Sequence, residues 1–152
     1  MATKNDVFSY LNFAAQLAID ADQKYVVRKA CVGAIGFRTD GTLVHACNGG
    51  DQLNVSPASH AEARLLRKID KYAPVIYVAR YRRDTGKLAL ARPCSTCLPR
   101  LKSMKIKVVY YSISDSEYGM IDIHRLIERD GIKFLSIGGE IGKRDGLKIR
   151  FL

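Results

Sequence analysis

The chain has 152 residues, a mass of 16.9 kDa and a formal net charge of +10. This length suits a single domain over residues 1–152. The 47% hydrophobic and 26% charged residues exclude a disordered chain. No apolar run approaches the roughly 20 residues needed to cross a bilayer, and the N-terminus lacks a secretory signal, so we expect a cytoplasmic protein without a membrane partner. The charge favours polyanions or small phosphorylated ligands as partners, or serves solubility alone.

Apolar periodicity and turn residues predict alternating helices and strands. The predicted helices span residues 7–19, 59–70, 93–104 and 121–130, and the predicted strands span residues 30–37, 42–48, 75–81, 106–112 and 132–137. Asp40-Gly41 predicts a hairpin between the first two strands. Gly131 suits the end of the last helix, and residues 147–151 alternate as an edge strand does. This order predicts a three-layer α/β/α domain around a mixed sheet of about five strands, parallel in its second half.

Two short motifs bring together side chains that bind metals. They are His60-Ala61-Glu62 and Pro93-Cys94-Ser95-Thr96-Cys97, and each opens a predicted helix. The imidazole and the two thiolates are good zinc ligands, and three protein ligands leave a fourth position for water, as in catalytic zinc sites. Glu62 lies two residues after His60, so its carboxylate can take a proton from that water and pass it to a leaving group.

Each motif also has a simpler interpretation. Ser59 and Glu62 have the spacing of a capping box at a helix start, which needs no metal. Cys94 and Cys97 alone fit a structural zinc knuckle or a redox pair. A separate group, Cys31, His45 and Cys47, is either a second metal site or a set of ordinary buried side chains.

Together, the two motifs resemble the zinc-dependent nucleobase deaminases of the cytidine deaminase superfamily. The resemblance covers about residues 7–130, and the deoxycytidylate deaminase branch is the most similar. Ile76–Arg80 resembles the family's strand before the cysteine motif, and Lys107–Ser112 resembles the strand after it. Ala46–Gly49 resembles the end of the family's hairpin, where an Asn meets the nucleoside.

The resemblance implies hydrolytic deamination of cytosine to uracil with release of ammonia. His60, Cys94 and Cys97 would hold Zn²⁺, and Glu62 would be the catalytic residue. The most similar branch implies a nucleotide such as dCMP as the substrate, and the family also implies a homo-oligomer. The alternative is deamination of cytosine or adenine in single-stranded DNA or RNA. The expected substrate contacts are Asn48, Ala61, Arg92, Tyr111 and Tyr118, with Arg92 on a phosphate and one of the tyrosines on the base.

The segment from residue 80 to 107 is strongly basic. It contains one acidic residue, Asp84, and nine basic residues. The basic residues are Arg80, Arg82, Arg83, Lys87, Arg92, Arg100, Lys102, Lys105 and Lys107. Such a segment is either a solvated basic face or a track for phosphates of single-stranded nucleic acid. A further alternative for the whole chain is a zinc-stabilised binding module without catalysis, which would have no need of Glu62.

Overall fold

The computed structural model of the chain describes residues 4–22, 30–48, 60–125, 127–133 and 148–151. The helices in these segments are α1 (Lys4–Asp22), α2 (Ala61–Leu65) and α3 (Cys97–Ser103). The strands are β1 (Ala30–Phe37), β2 (Leu43–Cys47), β3 (Val75–Arg82), β4 (Lys87–Ala89), β5 (Val108–Ser112), β6 (Glu117–Asp122), β7 (Ile127–Lys133) and β8 (Lys148–Phe151). None of the described helices is long and apolar enough to cross a membrane.

The described strands form one mixed sheet in the order β2-β1-β3-β5-β6-β7-β8, with β4 paired to the far end of β3. β3 and β5 run parallel, and α3 lies in the connection between them. The other strand pairs are antiparallel. The predicted mixed α/β class is therefore confirmed. The described part of the sheet has eight strands instead of about five, and its second half is antiparallel rather than parallel.

Helices cover both faces of this sheet. On one face, α1 packs through Val7, Leu11 and Ala14 against Ile35 and Tyr77. On the other face, a second cluster joins α2 and α3 to the sheet through Leu65, Leu101, Ile76, Val78 and Val109. The three-layer arrangement predicted from the sequence is thus present. Because side chains alternate along β3, Ile76 and Val78 face the short helices while Tyr77 faces α1.

The predicted helix over residues 121–130 is wrong, since the chain there forms the end of β6 and the start of β7. Ile121 and Ile123 are buried and Asp122 between them is half-buried, which is the period-two pattern of a strand. β-Branched isoleucines also favour extended backbone. Gly131, with a φ of 75°, lies inside β7 rather than after a helix. The predicted strand 132–137 overlaps the end of β7, and residues 134–137 lie outside the described part.

Several other boundaries differ from the prediction. The basic stretch after residue 80 extends the sheet, because a turn over residues 83–86 leads from β3 back into β4. α2 is shorter than predicted, and α3 begins at Cys97 rather than at Pro93. After α3, Lys105 adopts the left-handed conformation with a φ of 58°. The N–H of Ile106 then donates to the carbonyl of Leu101 at 3.2 Å, which closes the end of the helix.

Candidate active site

The beginnings of α2 and α3 meet on one face of the sheet. His60 is the N-cap of α2, and its extended backbone (φ −64°, ψ 148°) turns the chain into the helix. Ahead of α3, the N–H groups of Cys97 and Leu98 both donate to the carbonyl of Cys94, at 3.0 and 3.1 Å. This tight turn places the Cys94 and Cys97 side chains next to each other and beside the His60 ring.

The structure does not support the capping-box interpretation of the first motif. That interpretation needs the Ser59 hydroxyl to cap the helix. Here His60 is the N-cap, and no side-chain cap hydrogen bond is formed. Ser59 itself lies outside the described residues. Glu62 therefore lies one position closer to the helix start than a capping box requires.

The three predicted ligands have the spacing of a tetrahedral metal site. The His60 Nδ1 atom lies 3.5 Å from the Cys94 Sγ atom and 3.6 Å from the Cys97 Sγ atom. At ordinary zinc distances, roughly 2.3 Å for sulfur and 2.0–2.1 Å for nitrogen, tetrahedral ligand atoms lie about 3.6 Å apart. One ring nitrogen also cannot form two good hydrogen bonds in its plane to both sulfurs. The donor set therefore fits Zn²⁺.

Among the described residues, this is the one group of three or more His, Cys, Asp or Glu side chains that could hold a metal. Cys31, His45 and Cys47 do not form a second such group there. Cys31 is buried and Cys47 is half-buried, and neither is part of a disulfide. The interpretation of these residues as ordinary side chains is the one that the described structure supports.

The two thiols have different electrostatic surroundings. Partial burial acts to raise the pKa of Cys94, but hydrogen bonds from the Cys97 and Thr96 backbone N–H groups outweigh it and lower that pKa. Burial raises the pKa of the Cys97 thiol, and the negative charge of Glu62 raises it further. A bound divalent cation favours the deprotonated form of both thiols.

Glu62 is a buried carboxyl group directly beside these ligands, with only 6% of its surface exposed. Burial raises the pKa of Glu62 above its usual range, and the opposing contributions come from its own backbone N–H, His60 and the Cys97 thiol. Glutamate side chains are almost never fully buried in a core unless they are paired. Such a group is well suited to exchanging protons with a bound reactant.

A cavity of about 330 Å³ opens next to Glu62. This volume is at the lower end of the range for small-molecule sites. Its lining includes the two motifs and residues from β1, β3 and the loop before α3: Val32, Asn48, His60, Ala61, Glu62, Arg80, Leu90, Ala91, Arg92 and Cys94. Six of the predicted site residues therefore line the same cavity: Asn48, His60, Ala61, Glu62, Arg92 and Cys94.

Asn48 is fixed at the end of β2 by two hydrogen bonds to Val32. The Asn48 N–H donates to the Val32 carbonyl at 3.0 Å, and the Val32 N–H donates to the Asn48 Oδ1 atom at 3.3 Å. Because the side-chain oxygen is already used, the amide NH₂ group is the part of Asn48 that remains for a ligand. Asn48 would therefore act as a donor towards a ligand hydroxyl or carbonyl oxygen.

Arg92 is held at the cavity by a carboxylate that the sequence analysis did not identify. Its Nε and Nη2 atoms donate to Glu128 at 2.7 and 3.1 Å, forming a two-point ion pair. Glu128 is 1% exposed, and it also accepts the hydroxyl hydrogen of Tyr111 at 2.6 Å. The sequence analysis missed Glu128 because it assigned residues 121–130 to a helix, whereas Glu128 lies on β7.

The two predicted tyrosine contacts do not lie at the cavity. Tyr111 is 1% exposed and packs in the core with its hydroxyl on Glu128. Tyr118 is 4% exposed and packs with Phe8 and Tyr110 on the face covered by α1. Neither position supports stacking on a substrate base, because stacking needs one open ring face.

No protein-family model and no curated protein matches the chain. Among solved structures, it is similar to a cytidine deaminase from Burkholderia pseudomallei, with 15% identity, 92% of this chain and 91% of that chain covered, and a TM-score of 0.46. It is also similar to a cytidine deaminase from Mycobacterium leprae, with 19% identity, 64% of this chain and 84% of that chain covered, and a TM-score of 0.43. A mutant cytidine deaminase from Mycobacterium tuberculosis is similar with 17% identity, 74% of this chain and 86% of that chain covered, and a TM-score of 0.46. Such identities and scores do not assign an activity.

Proposed function

We propose that this protein is a zinc-dependent hydrolase that deaminates cytosine to uracil in a nucleotide such as dCMP. The observation that carries the proposal is the convergence of His60, Cys94 and Cys97 beside the buried carboxyl of Glu62. These groups surround one end of a cavity of a size suited to a nucleoside. They also match the motif order of the nucleobase deaminases.

In this proposal, zinc would be held by His60, Cys94 and Cys97 and, when bound, would lower the pKa of a water molecule. Glu62 takes a proton as the water oxygen forms its bond to C4 of the cytosine ring. Glu62 passes that proton to the ring nitrogen. It then moves the second proton of the water from the hydroxyl now on C4 to the amine, and the C4–N bond breaks with release of ammonia while C4 keeps the oxygen. The burial of Glu62 keeps this proton transfer apart from bulk water.

Asn48 and Ala61 are proposed to position the nucleoside. Both line the cavity, and the fixed Asn48 amide presents its NH₂ group as a donor. Ala61 is fully buried at the first position of α2, so it adds shape rather than charge. A small side chain between His60 and Glu62 leaves room for a flat ring near both motifs.

The second candidate is a deaminase that acts on single-stranded DNA or RNA. The observation that favours it is a groove of about 700 Å³ that contains the C-terminal end of α3. Its charged and aromatic lining residues are Lys102, Lys105, Lys107, Arg125, His124, Asp122 and the exposed Tyr72. Proteins that bind single-stranded nucleic acid commonly use basic side chains for the phosphates and exposed aromatic rings for stacking on the bases.

An ammonia-release panel tests these candidates. The zinc-loaded protein is assayed with dCMP, CMP, deoxycytidine, AMP, single-stranded DNA and single-stranded RNA. Turnover of dCMP well above that of the oligonucleotides supports the first candidate. Turnover confined to oligonucleotides, with binding that weakens steeply as salt rises, supports the second. Ammonia release from none of the cytosine substrates would contradict the proposed function.

A further inference from the structure

Two arginines line the cavity, and their surroundings differ. Arg92 forms the two-point ion pair with Glu128, so its positive charge is already matched by a buried carboxylate. Arg80 also lines the cavity, but no described residue pairs with its exposed side chain. Of these two arginines, Arg80 is therefore the one whose guanidinium offers a net positive charge to a ligand.

Arg92 is poorly suited to an anion. A phosphate at Arg92 would lie near the buried carboxylate of Glu128, and two anions at one guanidinium repel each other. The guanidinium carries more N–H groups than Glu128 uses, so it can still donate to an uncharged oxygen. Because Glu128 and Tyr111 fix its orientation, Arg92 would donate in one direction.

Arg80 is placed and anchored for a different task. Its backbone N–H donates to the hydroxyl of the buried Ser112 at 3.1 Å, which joins β3 to the end of β5. Arg80 pairs with Val32 of β1, another residue of the cavity wall. By strand alternation, its side chain lies on the same face as Val78, where the zinc ligands also lie. The backbone is thus rigid while the side chain stays exposed.

We propose that Arg80 binds the phosphate of a nucleotide substrate, and that Arg92 donates to an uncharged oxygen of its base or sugar. This assignment rests on the proposed function and deepens it, because it names the residue that separates nucleotides from nucleosides. It also replaces the expectation from the sequence that Arg92 contacts the phosphate. Glu128 is then a positioning residue that acts through Arg92.

The experiment compares dCMP with deoxycytidine, two ligands that differ only in the phosphate. kcat/KM is measured for both substrates in the parent and in Arg80→Gln, Arg92→Gln and Arg82→Gln. Arg82 is the matched control, because it lies two residues further along β3 and pairs with Asp84 at 2.7 Å. Equilibrium dialysis of both ligands, in a Glu62→Gln background, measures the same preference as a ratio of dissociation constants without turnover.

Arg80→Gln should lower kcat/KM for dCMP at least about tenfold, because a hydrogen bond to a charged group is lost. It should change kcat/KM for deoxycytidine by less than about twofold. Arg92→Gln should lower kcat/KM for both substrates by similar factors, and Arg82→Gln should leave kcat/KM for both unchanged. Equal losses for both substrates in Arg80→Gln would overturn the assignment. So would a loss confined to dCMP in Arg92→Gln, or a parent that binds deoxycytidine as tightly as dCMP.

The two proposals can fail separately. If the parent releases no ammonia but binds dCMP more tightly than deoxycytidine, and Arg80→Gln removes that preference, the deaminase proposal fails and the phosphate assignment stands. If the parent deaminates dCMP and Arg80→Gln leaves the substrate preference unchanged, the deaminase proposal stands and the assignment fails.

Discussion

Tyr111 on β5 and Glu128 on β7 are hydrogen-bonded at 2.6 Å although β6 lies between their strands. Tyr111 is paired with Gly119 of β6, and a Cβ atom at Gly119 would lie 2.1 Å from the Tyr111 ring. The ring therefore crosses β6 over the one residue type that has no side chain. This crossing carries the hydroxyl to the carboxylate that holds Arg92.

Gly119→Ala should destabilise the protein by about 1–3 kcal/mol, because the ring has to move to admit the methyl group. Tyr111→Phe, which removes only the hydroxyl, should cost about 1 kcal/mol. Urea unfolding followed by circular dichroism measures both variants. A Gly119→Ala protein as stable as the parent would show that the ring does not occupy this position.

Gly33 of β1 allows a close approach of α1. A Cβ atom there would lie 2.0 Å from the Ala14 carbonyl oxygen, which is backbone and cannot turn aside. We expect Gly33→Ala to destabilise the protein by about 1–3 kcal/mol through overpacking. Gly36→Ala is the matched control on the same strand. Its Cβ atom would meet the flexible end of Ile69, so the loss in urea unfolding should be clearly smaller.

Glu62→Gln should fold and bind zinc like the parent but lose turnover by a factor of at least about 10². The amide has nearly the same shape as the carboxylate but cannot accept and return the proton. Glu117→Gln, at a half-buried position on β6 outside the cavity lining, is the control and should retain parental activity. Ammonia release and zinc content are measured on the same samples. Substantial turnover in Glu62→Gln would remove the carboxylate from the proposed chemistry.

The purified protein should contain about one zinc per chain, because one ligand group is present among the described residues. Cys97→Ser should lose most of the metal and lower the melting temperature, since metal binding and folding are coupled. Cys47→Ser is the control and should keep the zinc, because Cys47 is a free cysteine outside that group. Metal analysis by mass spectrometry measures the content. A zinc-free Cys47→Ser protein, or a Cys97→Ser protein with full content, would contradict the ligand set.

The candidate metal site could be predicted from the sequence because its signal is local. His60, Cys94 and Cys97 belong to two short motifs at helix starts, and a helix start fixes where the side chains point. The hairpin of β1 and β2 was predictable for the same reason, with Asp40-Gly41 at its turn. The structure brings the three side chains together and confirms the hairpin.

The part of the fold after β5 could not be predicted in this way. Residues 121–130 have apolar positions that satisfy a helical stripe, and Gly131 resembles a helix end. Tertiary pairing of β6 with β7 decides the outcome instead, with Ile121 opposite Glu128. The ion pair of Arg92 and Glu128 spans 36 residues, so no local pattern announces it.

The long separation of this ion pair also divides the cavity between two stretches of chain. The three candidate metal ligands and Glu62 all lie at or before residue 97 of the chain. The acid that orients Arg92, Glu128, comes later, in β7. Substitutions in β7 can therefore alter which ligand atoms Arg92 donates to, without changing any of the three candidate metal ligands. Ligand preference could thus diverge among descendants of this chain while its reaction chemistry stays the same.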